Sequence, residues 1–264
     1  METAIAYWYW QSALNTELCD RIIATGQSAI KSKIALEGPQ SVNALTAGGE
    51  EIGGDRVIPA SDITLEDAIK SGLNLEKSYI RDTTVAFIED QWLYDIVCQY
   101  IYGGNEQANW NWDINWFEPL QYGEYRTDQF YGWHADMFDV PYQEFDPENP
   151  DHWAVDSEGE YMMEEIDGKE HNMIRAGFSN SPNIIGKQRK ISMTVHLSDP
   201  EEYEGGELWF DLGPHAQQRY HFVEEVKPKG SIIVFPSYTY HQITPITKGV
   251  RKSLVMWSIG PAWK

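Results

Sequence analysis

The chain holds only two cysteines, Cys19 and Cys98, in 264 residues. Each falls in an apolar-periodic stretch, which suits a buried thiol of a reducing compartment better than a disulfide framework. Basic residues are also scarce, 20 Lys and Arg against 41 Asp and Glu, which gives a formal net charge of -21. Such a surface repels phosphate backbones and argues against nucleic acid as a partner. No apolar run approaches the roughly 20 residues of a membrane-spanning helix. The opening "METAIAYWYWQSALNTELCD" lacks the basic and apolar regions of a secretory leader. The expectation is a cytoplasmic protein, neither exported nor set in a membrane.

Aromatic residues, by contrast, are plentiful: 11 Trp, 15 Tyr and 9 Phe. With that much apolar material a chain of this length fills the core of one large domain. Residues 1–112 read as a support region of helix and loop, and residues 113–264 as a strand-rich core carrying an insert over 137–186, all within a single domain over 1–264. In the first zone, "ALNTELCDRIIATGQSAI" spaces Leu14, Leu18 and Ile22 for one helix, with Asn15 or Thr16 to cap it and Gly26 to stop it. "IEDQWLYDIVCQYIYGG" places Trp92, Ile96 and Tyr100 at steps of four and predicts a second helix ended by its double glycine. The glycine-rich "EGPQSVNALTAGGEEIGGD" between them reads as loop.

From about residue 188 onward short strands follow one another, "ISMTVHLSD", "GGELWF", "YHFVEEV", "GSIIVFP", "HQITPI" and "RKSLVMWSI". With "LQYGEY" and "FYGWHAD" upstream they number about eight, the count of a jelly roll. The fold class expected is therefore α+β, mainly β, a double-stranded β-helix of cupin-like form flanked by N-terminal helices. The segment from Met137 to Gly186 is rich in Asp and Glu and reads by default as a solvated loop.

"FYGWHAD" sets His134 and Asp136 two apart, on one face if the strand continues through both. A strand-end His and Asp plus one distant His make the facial triad of non-haem Fe(II). Six other histidines could complete it: His152, His171, His196, His215, His221 and His241. Arg251 lies ten residues beyond His241, with "TKG" read as a hairpin turn that returns the second strand beside the first. Alternation groups Arg251 with Ser253, Val255 and Trp257, and an arginine inside a barrel calls for an anionic partner such as a carboxylate.

"EPLQYGEYRTDQFYGWH", "ISMTVHLSDPEEYEGGELWF" and "KPKGSIIVFPSYTYHQITPITKGVRKSLVMW" together resemble the iron(II)/2-oxoglutarate-dependent dioxygenases, within them the prolyl 4-hydroxylase-like, PKHD-type group. The resemblance implies that His134, Asp136 and His241 ligate Fe(II) and that Arg251 pairs with the far carboxylate of 2-oxoglutarate. It also implies that Tyr125 lines the co-substrate pocket and Tyr131 its edge, while His196 stands near the co-substrate carboxylate or is a polar core residue. Its chemistry is hydroxylation of an unactivated C–H bond with O₂, release of succinate and CO₂, and ascorbate as reductant. The implied substrate is a prolyl residue of a peptide or protein. A free amino acid or small metabolite is the runner-up, and a non-catalytic cupin-like metal-binding module is the rival from another class. Collagen-type relatives carry a lysine where this chain has Arg251. An acidic lid over 137–186 would favour Pro-containing peptides with Lys or Arg nearby.

Overall fold

The computed structural model describes residues 5–37, 42–47, 79–155, 161, 163–166, 169–214 and 216–264. In chain order the first strands and helices are β1 (Trp8–Trp10), α1 (Thr16–Glu37), β2 (Asn43–Ala47), β3 (Tyr79–Ile88) and α2 (Gln91–Gln107). Next come β4 (Trp116–Phe117), β5 (Leu120–Tyr125), β6 (Phe130–His134), β7 (Gln143–Glu144), β8 (Met163–Ile166), β9 (Lys169–Asn172) and β10 (Phe178–Ser179). The rest are β11 (Lys187–His196), β12 (Tyr203–Gly205), β13 (Leu208–Asp211), β14 (Tyr220–Phe222), β15 (Ile232–Pro236), β16 (Tyr240–Ile243), β17 (Ile246–Gly249) and β18 (Arg251–Pro261).

One curled antiparallel sheet dominates, in the order β1-β15-β11-β18-β5-β3-β6-β16-β13-β14, with β2 added on β3 and β4 on β18. All eight strands read from the sequence lie in it, and the fold is the double-stranded β-helix. Its two faces bury different clusters, as the run "IIVF" in β15 shows: Ile232 and Val234 pack toward the helices with Ile22, Leu93, Val97 and Ile101. Ile233 and Phe235 point the other way, to Tyr125, Phe210 and Ile243 inside the curl. A strand buried on both faces needs this continuous apolar run rather than alternation.

Several local readings are corrected. The first zone supplies three strands besides its helices, and β3 is central, between β5 and β6. β2 lies in the stretch read as loop, whose remainder falls outside the described residues apart from Glu37 and Val42. Helix α1 starts where expected, with Asn15 Oδ1 accepting the Leu18 N–H at 2.9 Å, but it runs through Gly26. A Cβ there would lie 2.2 Å from Cγ of Tyr122, so the glycine lets helix and sheet approach and is not a stop. Gly104 likewise sits inside α2, where a Cβ would come 2.3 Å from Val234 Cγ2. Gly26→Ala is expected to destabilise the protein by about 1–3 kcal/mol through overpacking, although the same change in a free helix gains up to about 1 kcal/mol. An unchanged denaturation midpoint would refute the close-approach role.

"TKG" is not a hairpin turn. It lies in β17, which pairs with β12, and three strands stand between β16 and β18 in the sheet. Nor is the acidic insert structureless: β7 pairs with β10 and β8 with β9, and Phe145 packs edge-on against Trp153 while His152 stacks on Phe178. Among the described residues no helix is long and apolar enough to cross a membrane.

Candidate metal centre and anion pocket

His134 closes β6 and His241 is the second residue of β16. The two strands run antiparallel with these residues directly opposite, which sets the ring centroids 4.1 Å apart. Each imidazole is held from behind by a backbone carbonyl, His134 Nδ1 at 2.7 Å from Gly132 O and His241 Nδ1 at 2.9 Å from Thr239 O. A carbonyl only accepts, so each Nδ1 carries the proton and each Nε2 presents its lone pair. Both lone pairs face the same carboxylate.

Asp136 reaches that place without a continuous strand, because β6 ends at His134. Its own N–H donates to Ser237 O at 2.9 Å, and its carbonyl accepts from Arg189 Nη1 at 2.7 Å. The carboxylate then lies with Oδ1 3.5 Å from His134 Nε2 and Oδ2 3.7 Å from His241 Nε2. Donor atoms of all three residues fall within 4.8 Å of one another. Ligands on bonds of about 2 Å at right angles stand about 3 Å apart, so the donor set and spacing fit a facially bound divalent ion. Burial raises the Asp136 carboxyl, but His241, His134 and Arg189 outweigh it and hold it well below the usual carboxylate range. Burial and then His134 bring His241 down to about 4, so it is neutral near pH 7.

Tyr131 lies flat on His134, centroids 3.4 Å apart and planes 9° apart, and the Arg81 guanidinium covers its other neighbourhood at 4.6 Å. Tyr131 therefore braces the imidazole of His134 from one side.

Arg251 opens β18 opposite Tyr125 of β5, with its guanidinium carbon 5.5 Å from the Tyr125 ring. It is 1% exposed, and no carboxylate of the described residues forms an ion pair with it. Nη1 donates to Ser253 Oγ at a long 3.4 Å, Nη2 meets His196 Nε2 at 3.3 Å, and Nε has no partner. Burial, with Arg251 beside it, holds His196 well below the ordinary imidazole value, so it is neutral and its Nε2 accepts from Arg251. Gly206, at φ +63°, passes so close that a Cβ would lie 2.8 Å from Arg251 Cδ. A buried cation with an orphaned donor and no counter-ion among the described residues fits an anionic ligand, the role a dicarboxylate co-substrate would fill.

The structure thus gathers His134, Asp136, His241 and Tyr131 in one cluster, and Arg251, His196 and Tyr125 in another. Sequence reading missed Glu118 and Arg189. Arg189 forms a two-pronged pair with Glu118, Nε to Oε1 at 2.8 Å and Nη2 to Oε2 at 2.5 Å, while its third arm holds Asp136. No local signal links residues 71 apart, and a register shift between Arg189 and Ser192 breaks the alternation that would have placed the arginine.

Residues 120–259, more than half of the chain, match the 2OG-Fe(II) oxygenase superfamily. A PKHD-type hydroxylase of Burkholderia ambifaria strain MC40-6 is 40% identical over 77 residues, 29% of this chain and 31% of that protein. One of Aliarcobacter butzleri is 42% identical over 80 residues, 28% of this chain and 31% of that protein. The chain thus spans less than a third of the length of these curated relatives. Among solved structures, a Pseudomonas putida prolyl-4-hydroxylase aligns with a TM-score of 0.50 at 15% identity, over 96% of this chain and 92% of that one. A viral collagen prolyl hydroxylase from Paramecium Bursaria Chlorella virus-1, in its 2OG complex, aligns with a TM-score of 0.50 at 17% identity, over 98% of this chain and 97% of that one. At such identities the likeness is one of fold.

Proposed function

Since the chain belongs to the 2OG-Fe(II) oxygenase superfamily, we propose that it is an Fe(II)- and 2-oxoglutarate-dependent hydroxylase acting on a prolyl residue of a peptide or protein. His134, Asp136 and His241 would hold the metal, and Arg251 the far carboxylate of the co-substrate. The bound metal with 2-oxoglutarate and O₂ supplies oxidation of a C–H bond, with succinate and CO₂ as co-products. The observation that carries this reading is that Arg251, buried inside the curl of the sheet, has no counter-ion among the described residues.

The chain's own work is orientation. Gly132 O and Thr239 O keep the Nδ1 protons of the two histidines pointing away, which leaves both Nε2 atoms free to bind. His196, neutral, turns the guanidinium by accepting from Nη2 and leaves Nε available to a carboxylate. Tyr125 and Ser253 complete the wall of that pocket, and its burial strengthens the ion pair by excluding water.

A cleft of about 360 Å³ lined by Ile5, Leu212, Pro214, Tyr238 and Tyr240 among others supports an extended peptide as substrate. Its wall residues Tyr238, Thr239 and Tyr240 immediately precede His241 in the chain, which places the cleft beside the strand that supplies that histidine. The acidic composition of the 137–186 insert favours peptides with Lys or Arg near the proline.

The test is a panel of Pro-containing peptides and free amino acids, incubated with the protein, Fe(II), ascorbate and 2-oxoglutarate. Succinate is quantified and products are weighed by mass spectrometry. One oxygen gained on proline, with succinate released alongside it, is the expected result. Oxidation of free amino acids alone would overturn the peptide substrate. Failure to bind or turn over 2-oxoglutarate under every condition would leave a metal-binding module of the same fold.

A further inference from the structure

We infer that Arg189, gripped by Glu118, is a positioning residue that sets the reach of Asp136 toward a bound metal; this rests on the metal role proposed above for the triad. The ladder of β6 stops at His134, so no continued strand carries Asp136 to its place. Its peptide is held instead at two points, the N–H on Ser237 O and the carbonyl on Arg189 Nη1. Ser237 follows β15 directly and is fixed by its own N–H on Lys190 O, so the first contact is backbone to backbone. The second depends on one side chain.

That side chain has little freedom. Two of its three nitrogens are committed to the two oxygens of Glu118, and its plane rests 4.0 Å over the Trp257 ring. Tyr142 donates its hydroxyl to Glu118 Oε1 at 3.2 Å and braces the carboxylate in turn. A planar fork held on three sides leaves Nη1 a single direction, the Asp136 carbonyl. The neighbour Gln188 repeats the device two residues on, donating Nε2 to Phe138 O at 2.9 Å. The opening of β11 thus does by side chains what a strand partner would do by peptide bonds. The Arg189 charge is already balanced by Glu118, so its contribution is chiefly geometric. A lysine in its place keeps the charge and loses the fork.

A purely structural ion pair and a positioning clamp differ in one observable, metal affinity of the folded protein. Mn(II) binding is to be measured calorimetrically in the absence of co-substrate for the native protein, Arg189→Lys, and the double variant Arg189→Met with Glu118→Leu. The double variant removes both charges together and replaces them with apolar volume, a change that buried pairs commonly tolerate. Both variants are expected to bind Mn(II) about 10- to 100-fold more weakly. Once saturated with metal, both variants should still bind 2-oxoglutarate, because Arg251 and its partners Ser253 and His196 are untouched. A folded double variant with native Mn(II) affinity would overturn the inference alone. Native protein that binds no Mn(II) would overturn the metal reading of the triad, and this inference with it.

Discussion

Arg251→Met is expected to abolish tight 2-oxoglutarate binding and, at the same time, to make the ligand-free protein more stable. The two effects have one cause. The native guanidinium is 1% exposed, touches Ser253 and His196 only through long contacts, and has no carboxylate within reach among the described residues. Its desolvation is uncompensated until an anion arrives. Removing one partner of a buried, hydrogen-bonded charge pair costs about 2–5 kcal/mol, which is roughly 30-fold to several thousand-fold in affinity. Met fills similar volume without a charge, so the empty protein should gain about 1 kcal/mol or more. Calorimetry with and without 2-oxoglutarate reads both numbers, and Mn(II) affinity should be unchanged. Unaltered 2-oxoglutarate binding would remove Arg251 from the site.

Asp136→Asn is expected to have the larger effect on the metal. Asparagine keeps the volume of the side chain and both backbone contacts of residue 136, so the fold should survive. What disappears is the charge that faces two Nε2 lone pairs at 3.5 and 3.7 Å. Loss of a ligand's charge should exceed the roughly 10- to 100-fold that losing an outer partner costs. Mn(II) titration of the folded variant checks this, and affinity within tenfold of native would show that the carboxylate is not a ligand, since even outer partners cost about that much.

Much of this was legible in the sequence because its signals are local or periodic. The eight core strands follow from short apolar runs punctuated by Gly, Pro and Asp, while spacing and resemblance single out His134, Asp136 and His241, which the structure brings together, and Arg251, which it buries. The unread parts depend on what each residue meets in space. Gly26 and Gly104 look like helix stops in one dimension and are clearances for Tyr122 and Val234 in three. "TKG" has hairpin composition, yet its strand bonds to β12, some forty residues away. β3 escaped because "YIRDTTVAFI" mixes polar and apolar residues: Ala86 and Ile88 are buried in the helix-side cluster, whereas Phe87 between them is exposed. His134 and Asp136 do lie together, but not through a continued strand: β6 ends at His134, and the Asp136 peptide is bonded to Ser237 O and Arg189 Nη1 instead.

The placement of β18 governs the order in which the molecule can be assembled. It follows every other strand in the sequence, yet it stands in the middle of the sheet, bonded to β11 on one side and to β5 and β4 on the other. A nascent chain lacking residues 251–261 has β11 and β5 with open edges facing each other, and the apolar rows of both remain wet. Contacts that bridge such long sequence separations make folding slow, and they expose strand edges to other chains meanwhile. Because Arg251 is the first residue of β18, the anion pocket proposed around it cannot form before that strand closes the sheet. The interval before β18 joins the sheet is therefore a vulnerable one, and a chaperone that shields open β-edges would act in that interval.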